Sequence, residues 1–296
     1  MTQEKKTLTR RDFMQGTAAA AVGTTMLGLA GGKGTAQTAV RRASRVVLVR
    51  DEKALDENNQ VNPDILKRML DDAVVKVTGQ PKANKAWQVL FKPKDTVGLV
   101  HSDALNKTHP ELIEAVKTAL AGAGVPQDKV VMAQQRNPEI VKTCTALICM
   151  PGLKAHWLTG IGTVLKNYIM YSGRPRDYHN EDNRKLGEIW NLPYVKGKTR
   201  LILVDALHPL CDKGPQVDPQ YKWPYKGLIA GTDPVAVETV CLKIITEKRN
   251  LIKGEPWPLS PPPVCVEAAD KAYGLGTSSW DEIQIERVGW MVDALV

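Results

Sequence analysis

The side chains best suited to chemistry crowd into one stretch, between Pro151 and His179. Lys154, Lys166, Arg174 and Arg176 stand there against a single acid, Asp177, and two of the chain's five histidines, His156 and His179, stand among them. Unbalanced cations favour an anionic ligand. Their field also lowers the pKa of a neighbouring imidazole and keeps it neutral at pH 7, the state required of a general base or a metal ligand. His156, His179 and Lys166 are therefore the candidate catalytic groups, and Lys154 is a candidate charge for holding the ligand.

From Leu158 to Met170, the residues Leu158, Ile161, Val164, Leu165 and Tyr168 recur at helical spacing, with Thr159, Thr163 and Lys166 on the other face. Gly160 and Gly162 would each weaken such a helix by about 1 kcal/mol relative to Ala, which suggests that something approaches the backbone closely there. The spacing predicts an anion held by the free N–H groups of a first helical turn. Thr159, Gly160, Gly162, Thr163 and Asn167 are its binding positions. In the competing reading the glycines serve helix–sheet packing and the lysines are solvated. The glycine spacing matches neither a phosphate loop nor a dinucleotide fingerprint.

Other candidates lie outside this stretch. Asp205 ends an apolar run, where it either orients a histidine or lysine or caps the next turn. Gly214, in Asp212-Lys213-Gly214-Pro215, brings backbone near a ligand or makes a plain turn. Asp233, in Thr232-Asp233-Pro234, reads first as a helix N-cap and second as a ligand contact. His109 precedes Pro110 and suits an N-cap as well as a ligand role. No H-x-H or H-x-x-x-H spacing marks a metal site, and no G-x-S-x-G elbow marks a serine hydrolase.

The elements that must position these groups are short apolar strands alternating with amphipathic helices. Strands are expected at 45–50, 96–100, 129–133, 145–149, 199–205, 227–230 and 282–288. Helices are expected at 62–77, where Asn62 caps and Pro63 opens, at 109–123, and after Thr232-Asp233-Pro234 and Pro261–Pro263. This alternation predicts an α/β fold with a largely parallel central sheet flanked by helices, as a single elaborated domain over 37–296. In open α/β sheets ligands sit beyond the carboxyl ends of strands. That rule brings His101, Ser102 and Asp103, then Lys154 and His156, then Asp205 and His208 toward one crevice.

A formal charge of +8 fits phosphates, carboxylates or a membrane surface as partners. Nucleic acid is not expected, since the basic residues are dispersed and no binding motif is present. Five cysteines, Cys144, Cys149, Cys211, Cys241 and Cys265, show no C-x-x-C pair and no ferredoxin-like run, which argues against an iron–sulfur cluster in this chain. Burial is their default fate, with one long-range disulfide as the alternative. Thr9-Arg10-Arg11-Asp12-Phe13-Met14, followed by a weakly apolar stretch, resembles a twin-arginine export signal. Residues 1–36 are thus expected to be removed by the twin-arginine export machinery's route to the periplasm, with no stable transmembrane span.

Several of these motifs resemble domain-of-unknown-function family 362, including its exported members with twin-arginine signals. The matching residues are Met150-Pro151-Gly152-Leu153-Lys154-Ala155-His156, Thr159-Gly160, Leu165-Lys166-Asn167, His179, Leu203-Val204-Asp205-Ala206, Gly214-Pro215 and Thr232-Asp233-Pro234-Val235-Ala236. The resemblance implies the fold and the candidate positions. Relatives with a ferredoxin-like cysteine segment imply a redox role, but this chain lacks that segment. Asn106-Lys107-Thr108-His109-Pro110 is similar to an element of the nucleotide-pincer nickel racemases of 2-hydroxy acids, with Asn and His standing where that family has Asp and Arg. That likeness implies a carboxylate-bearing substrate.

The leading expectation is an exported protein that binds a small anionic molecule or cofactor in a cationic crevice. A metal-binding or redox accessory protein using His156, His179 and His208 is the alternative. A non-catalytic binding protein using an exposed Trp-rich insert around Trp223 is the third.

Overall fold

Alternate residues of the first strand face opposite sides of the sheet, and that alternation sorts the whole interior into two cores. Along β1 (Ser44–Arg50), Val46 and Leu48 join one buried cluster, while Val47 and Val49 join the other. The computed structural model describes residues 43–133 and 138–296. The expected export signal, residues 1–36, lies outside them.

The elements follow in order as α1 (Pro63–Thr78), α2 (Ala83–Leu90), β2 (Val97–His101), α3 (Pro110–Gly122), β3 (Val130–Met132), α4 (Pro138–Thr143), β4 (Ala146–Met150), β5 (Gly152–His156), β6 (Gly160–Ile161), α5 (Leu186–Trp190), β7 (Thr199–Leu210), β8 (Gly227–Gly231), α6 (Pro234–Lys253), α7 (Cys265–Lys271) and β9 (Ile283–Gly289). A 3-10 helix at Leu165–Ser172 lies between β6 and α5. The main sheet runs β3-β2-β4-β7-β8-β1-β9. Its ladders are parallel except where β8 pairs with β7 and β1. Helices α1, α2 and α3 pack their apolar stripes on one face, and α5, α6 and α7 cover the other. This is the expected mixed α/β architecture with a mostly parallel sheet.

Local signals read in the sequence are at work at the helix ends. Asn62 caps α1 through Ile65 N–H at 3.3 Å, and Gly79 closes the helix in the left-handed region. Asp233 caps α6 through the N–H groups of Val235 and Ala236, each at 2.9 Å. All five cysteines are buried and free, so the alternative of a long-range disulfide is not realised. No helix among the described residues is long and apolar enough to cross a membrane.

Two expectations fail. The stretch Leu158 to Met170 is not a helix: β5 and β6 form an antiparallel hairpin through it, and helical geometry begins only at Leu165. Gly160 adopts φ +74° in that hairpin, and a Cβ there would meet Pro261 O at 2.6 Å. The insert around Trp223 is not an exposed aromatic patch, because Trp223 is partly buried against the core and Tyr225 is fully buried.

Candidate functional site

Strand β4 runs through Met150 and Pro151 into β5, and the chain after β2 folds back over that junction. Thr108 Oγ1 donates to Met150 O at 2.6 Å, Asn106 Nδ2 donates to Leu153 O at 3.3 Å, and Gly152 N–H donates to Ser102 Oγ at 3.2 Å. These bonds tie the end of β2 to β5, as the rule for carboxyl ends of strands anticipates. Between them opens a crevice of about 130 Å³ lined by Ser102, Lys154, His156, Gly162, Lys166 and Asn167, together with Leu105 and Pro215.

Lys154 enters from β5 and is only 8% exposed. Its Nζ donates to Ser102 Oγ at 3.1 Å and Gly152 O at 3.0 Å, both neutral acceptors. Burial pushes its pKa down to about 8. Lys166 enters from the 3-10 helix, and burial together with the Lys154 charge pushes it down to about 7. Among the described residues neither lysine forms an ion pair. The two desolvated amines repel one another, and the charges of Glu238 and Asp205, neither in an ion pair with Lys154, offset the effect there only in part.

Both imidazoles are held below their ordinary pKa and are neutral at pH 7. Burial, followed by Lys166, His179 and Lys154, drives the pKa of His156 down to about 2. Its Nδ1 accepts the Leu158 N–H at 3.1 Å, so the single ring proton resides on Nε2 and His156 is a hydrogen-bond donor. His179 stacks on it, with centroids 5.8 Å apart and planes at 10°, and burial and Lys166 push His179 down to about 4. Gly162 makes room for the His156 ring, since a Cβ there would meet His156 Cβ at 2.9 Å. Asn167 lines the crevice and donates to Val100 O at 2.7 Å.

Glu238 was not singled out in the sequence. It comes from α6, is fully buried, and accepts the Val164 N–H at 2.6 Å while its Oε1 has no hydrogen-bond partner. Burial raises it to about 7 despite the backbone N–H groups of Val164 and Leu165. Its charge opposes the fall in the Lys154 pKa. The available signal was an acid inside the apolar run Val235-Ala236-Val237-Glu238-Thr239-Val240.

Other expected ligand positions serve the chain itself. Thr159 is buried and donates to Ile161 O at 2.8 Å, and Thr163 bridges to Lys154 N–H and O across the hairpin. With Gly160 they form a turn and strand, so the proposed helical first turn does not exist. Gly214 packs against the Ala155 carbonyl, where a Cβ would sit 2.0 Å from the oxygen, and its own carbonyl accepts Trp157 N–H at 2.7 Å. Asp233 lies beyond the opposite end of the sheet: β8 is antiparallel to β7, which sets Gly231 beside Ile202 and Asp205 beside Leu228. Its oxygens are taken by Val235, Ala236, Ser44 and Thr277. Arg174 and Arg176 are exposed and do not enter the crevice.

Asp205 turns toward a second cluster. Its Oδ2 accepts the His109 N–H at 2.7 Å and lies 2.7 Å from His109 Nδ1, while Oδ1 accepts Leu207 N–H at 3.1 Å. It therefore orients a histidine but caps no turn, because β7 does not end at Asp205 and continues to Leu210. His109 Nε2 lies 3.3 Å from His208 Nδ1. His208 thus belongs with His109, not with His156 and His179, and no group of three metal-ligating side chains is assembled among the described residues.

Residues 123–243 match the model of a family described as Domain of unknown function (DUF362). That segment carries β3 to β8 and the start of α6, and with them Lys154, His156, Lys166, Asn167, His179, Asp205 and Glu238. The match supports the resemblance drawn from the motifs. No curated protein and no solved structure matches the chain.

Proposed function

We propose that the crevice between β2, β5 and the 3-10 helix binds a small anion, with Lys154 and Lys166 as its counter-charges. The observation that carries this reading is a pair of lysines, desolvated and without an ion-pair partner, facing one crevice. The His156 Nε2–H and the Ser102 hydroxyl add hydrogen bonds to the anion's oxygens. A volume near 130 Å³ suits phosphate, sulfate or a short carboxylate. Lys166, with a pKa of about 7, is the group able to exchange a proton with the bound molecule at neutral pH. His156 and His179 hold and orient, since neither takes up a proton there.

Isothermal titration with phosphate, sulfate, acetate and lactate, in a buffer free of competing anions, tests the reading. Saturable binding of at least one of them is expected, weakened at least about tenfold by Lys154→Met and again by Lys166→Met, the loss of a charge-assisted hydrogen bond each. Equal binding by the double variant overturns it. Anion binding restores ordinary lysine pKa values, so at pH 8 it should draw about one proton from the buffer, read as a buffer-dependent enthalpy.

The same reading makes the protein an exported one, on the strength of the Arg10–Arg11 motif and the apolar stretch that follows. Arg10→Lys with Arg11→Lys should leave the precursor unprocessed in the cytoplasm. Undiminished export of that variant excludes the twin-arginine route.

A further inference from the structure

A cavity of about 520 Å³, larger than the lysine crevice, opens at the start of α3 and the end of β7. His109, Glu111, His208, Lys222 and Trp223 stand on its wall, with Pro110, Pro219 and Pro224. The proton positions in this wall follow from the hydrogen bonds. Asp205, 1% exposed, faces His109 Nδ1 and so requires a proton there. Burial disfavours the imidazolium, but the hydrogen bond and charge of Asp205 outweigh it and hold His109 above its ordinary range. A proton on Nε2 as well makes His109 the donor to His208 Nδ1. Burial and the His109 charge keep His208 neutral, with its pKa pushed to about 4. The remaining His208 proton must then reside on Nε2.

That His208 Nε2 is buried and has no hydrogen-bond partner, and the same is true of Glu111 Oε2. An unmet buried donor and an unmet buried acceptor each destabilise a fold, and folded proteins keep few of them. Behind the wall Asp205 offsets His109, and the wall itself carries one acid, Glu111, and one lysine, Lys222, which form no ion pair with each other. The ligand is therefore dipolar rather than ionic. A carboxylate lacks the donor and meets Glu111 as a like charge; an ammonium lacks the acceptor. An amide offers both from separate atoms held in one plane, whereas a hydroxyl must serve both groups from one atom.

We propose that this cavity is a second ligand site, for a small carboxamide carried on an apolar or aromatic body. Its carbonyl accepts from His208 Nε2–H, its N–H donates to Glu111 Oε2, and the body lies against Trp223 and the prolines. Asp205 and His109 are positioning residues that fix the tautomer of His208.

Titration of the purified protein with four probes tests this: 3-phenylpropionamide, its N-methyl and N,N-dimethyl amides, and 3-phenylpropionate. The primary or N-methyl amide should bind saturably and shift the His208 imidazole N–H signal in nitrogen-15 spectra of the unmodified protein. The dimethyl amide, which has no donor, and the carboxylate should each bind at least about tenfold more weakly, the loss of one buried hydrogen bond. His208→Phe and Glu111→Met should weaken the amide by a similar factor, while Lys154→Met with Lys166→Met leaves it within about twofold because the two sites share no side chain. A preference for the primary amide points to a free carboxamide, and a preference for the N-methyl amide to a peptide bond. Carboxylate binding as tight as the amide's, indifference to dimethylation, no response at His208, or no saturation by any amide overturns the proposal.

Discussion

Replacing Lys154 by Met should make the protein more stable at neutral pH while removing the anion site. The methionine keeps most of the apolar stem and removes the buried amine. Bringing a lysine from its ordinary 10.5 to about 8 on folding corresponds to a penalty of about 3 kcal/mol, at about 1.4 kcal/mol per tenfold. Because the folded pKa lies below the unfolded one, the unfolded chain binds more protons between pH 8 and 10.5, and stability rises with pH across that window. Below pH 8 the penalty is present in full. Against it stand the bonds from Nζ to Ser102 and Gly152, about 1 kcal/mol each. The variant should therefore gain about 1 kcal/mol at pH 7 and lose about 2 kcal/mol at pH 10.5 relative to the parent. Urea denaturation of both proteins at intervals from pH 6.5 to 10.5, without added anion, reads this swing directly. A stability difference that stays constant across that range refutes the reasoning, because it means that Lys154 is not held below its ordinary pKa.

Glu238→Gln should stabilise the protein at pH 8 by about 1–3 kcal/mol and have little effect at pH 5. The carboxyl, raised to about 7 by burial, is protonated when folded and charged when unfolded between pH 4.5 and 7, so the parent loses stability as pH rises through that window. A denaturation series at the two pH values checks it. Asp205→Asn should destabilise by about 3–5 kcal/mol at pH 6, since it leaves His109 buried without its charged partner. The loss should shrink as pH rises through the elevated His109 pKa, and NMR titration of His109 should show that pKa falling. Arg174→Ala with Arg176→Ala should change anion affinity by less than about twofold, because exposed charges are screened by solvent and salt.

The sheet and its helices were readable because their signals are local: apolar runs of five or so residues, Asn62-Pro63, Thr232-Asp233-Pro234, and closing glycines. The crevice was readable in part, since Lys154, His156 and Lys166 sit near the end of a strand where α/β sheets bind ligands. The helix read at Leu158 to Met170 failed for a physical reason. Leu158, Ile161, Val164 and Leu165 do recur at helical intervals, but the same residues also suit a hairpin that packs Ile161 and Val164 inward. What decides between them is distant: Pro263 against Gly160, and Glu238, 74 residues on, taking the Val164 N–H. Strand direction was equally invisible for β8, and its antiparallel course moved Asp233 to the far end of the sheet. His109 and Asp205, 96 residues apart, meet only through the parallel pairing of β2, β4 and β7.

Lys154 and Lys166, desolvated and without ion-pair partners among the described residues, are proposed to hold an anion. NMR titration of the Lys154 and Lys166 side chains, with and without saturating phosphate or the best anion of the panel, tests that proposal most directly. Values near 8 and 7 are expected in the free protein, both moving upward when the anion is bound. Values near the ordinary 10.5 in the free protein, or values indifferent to every anion, would contradict it.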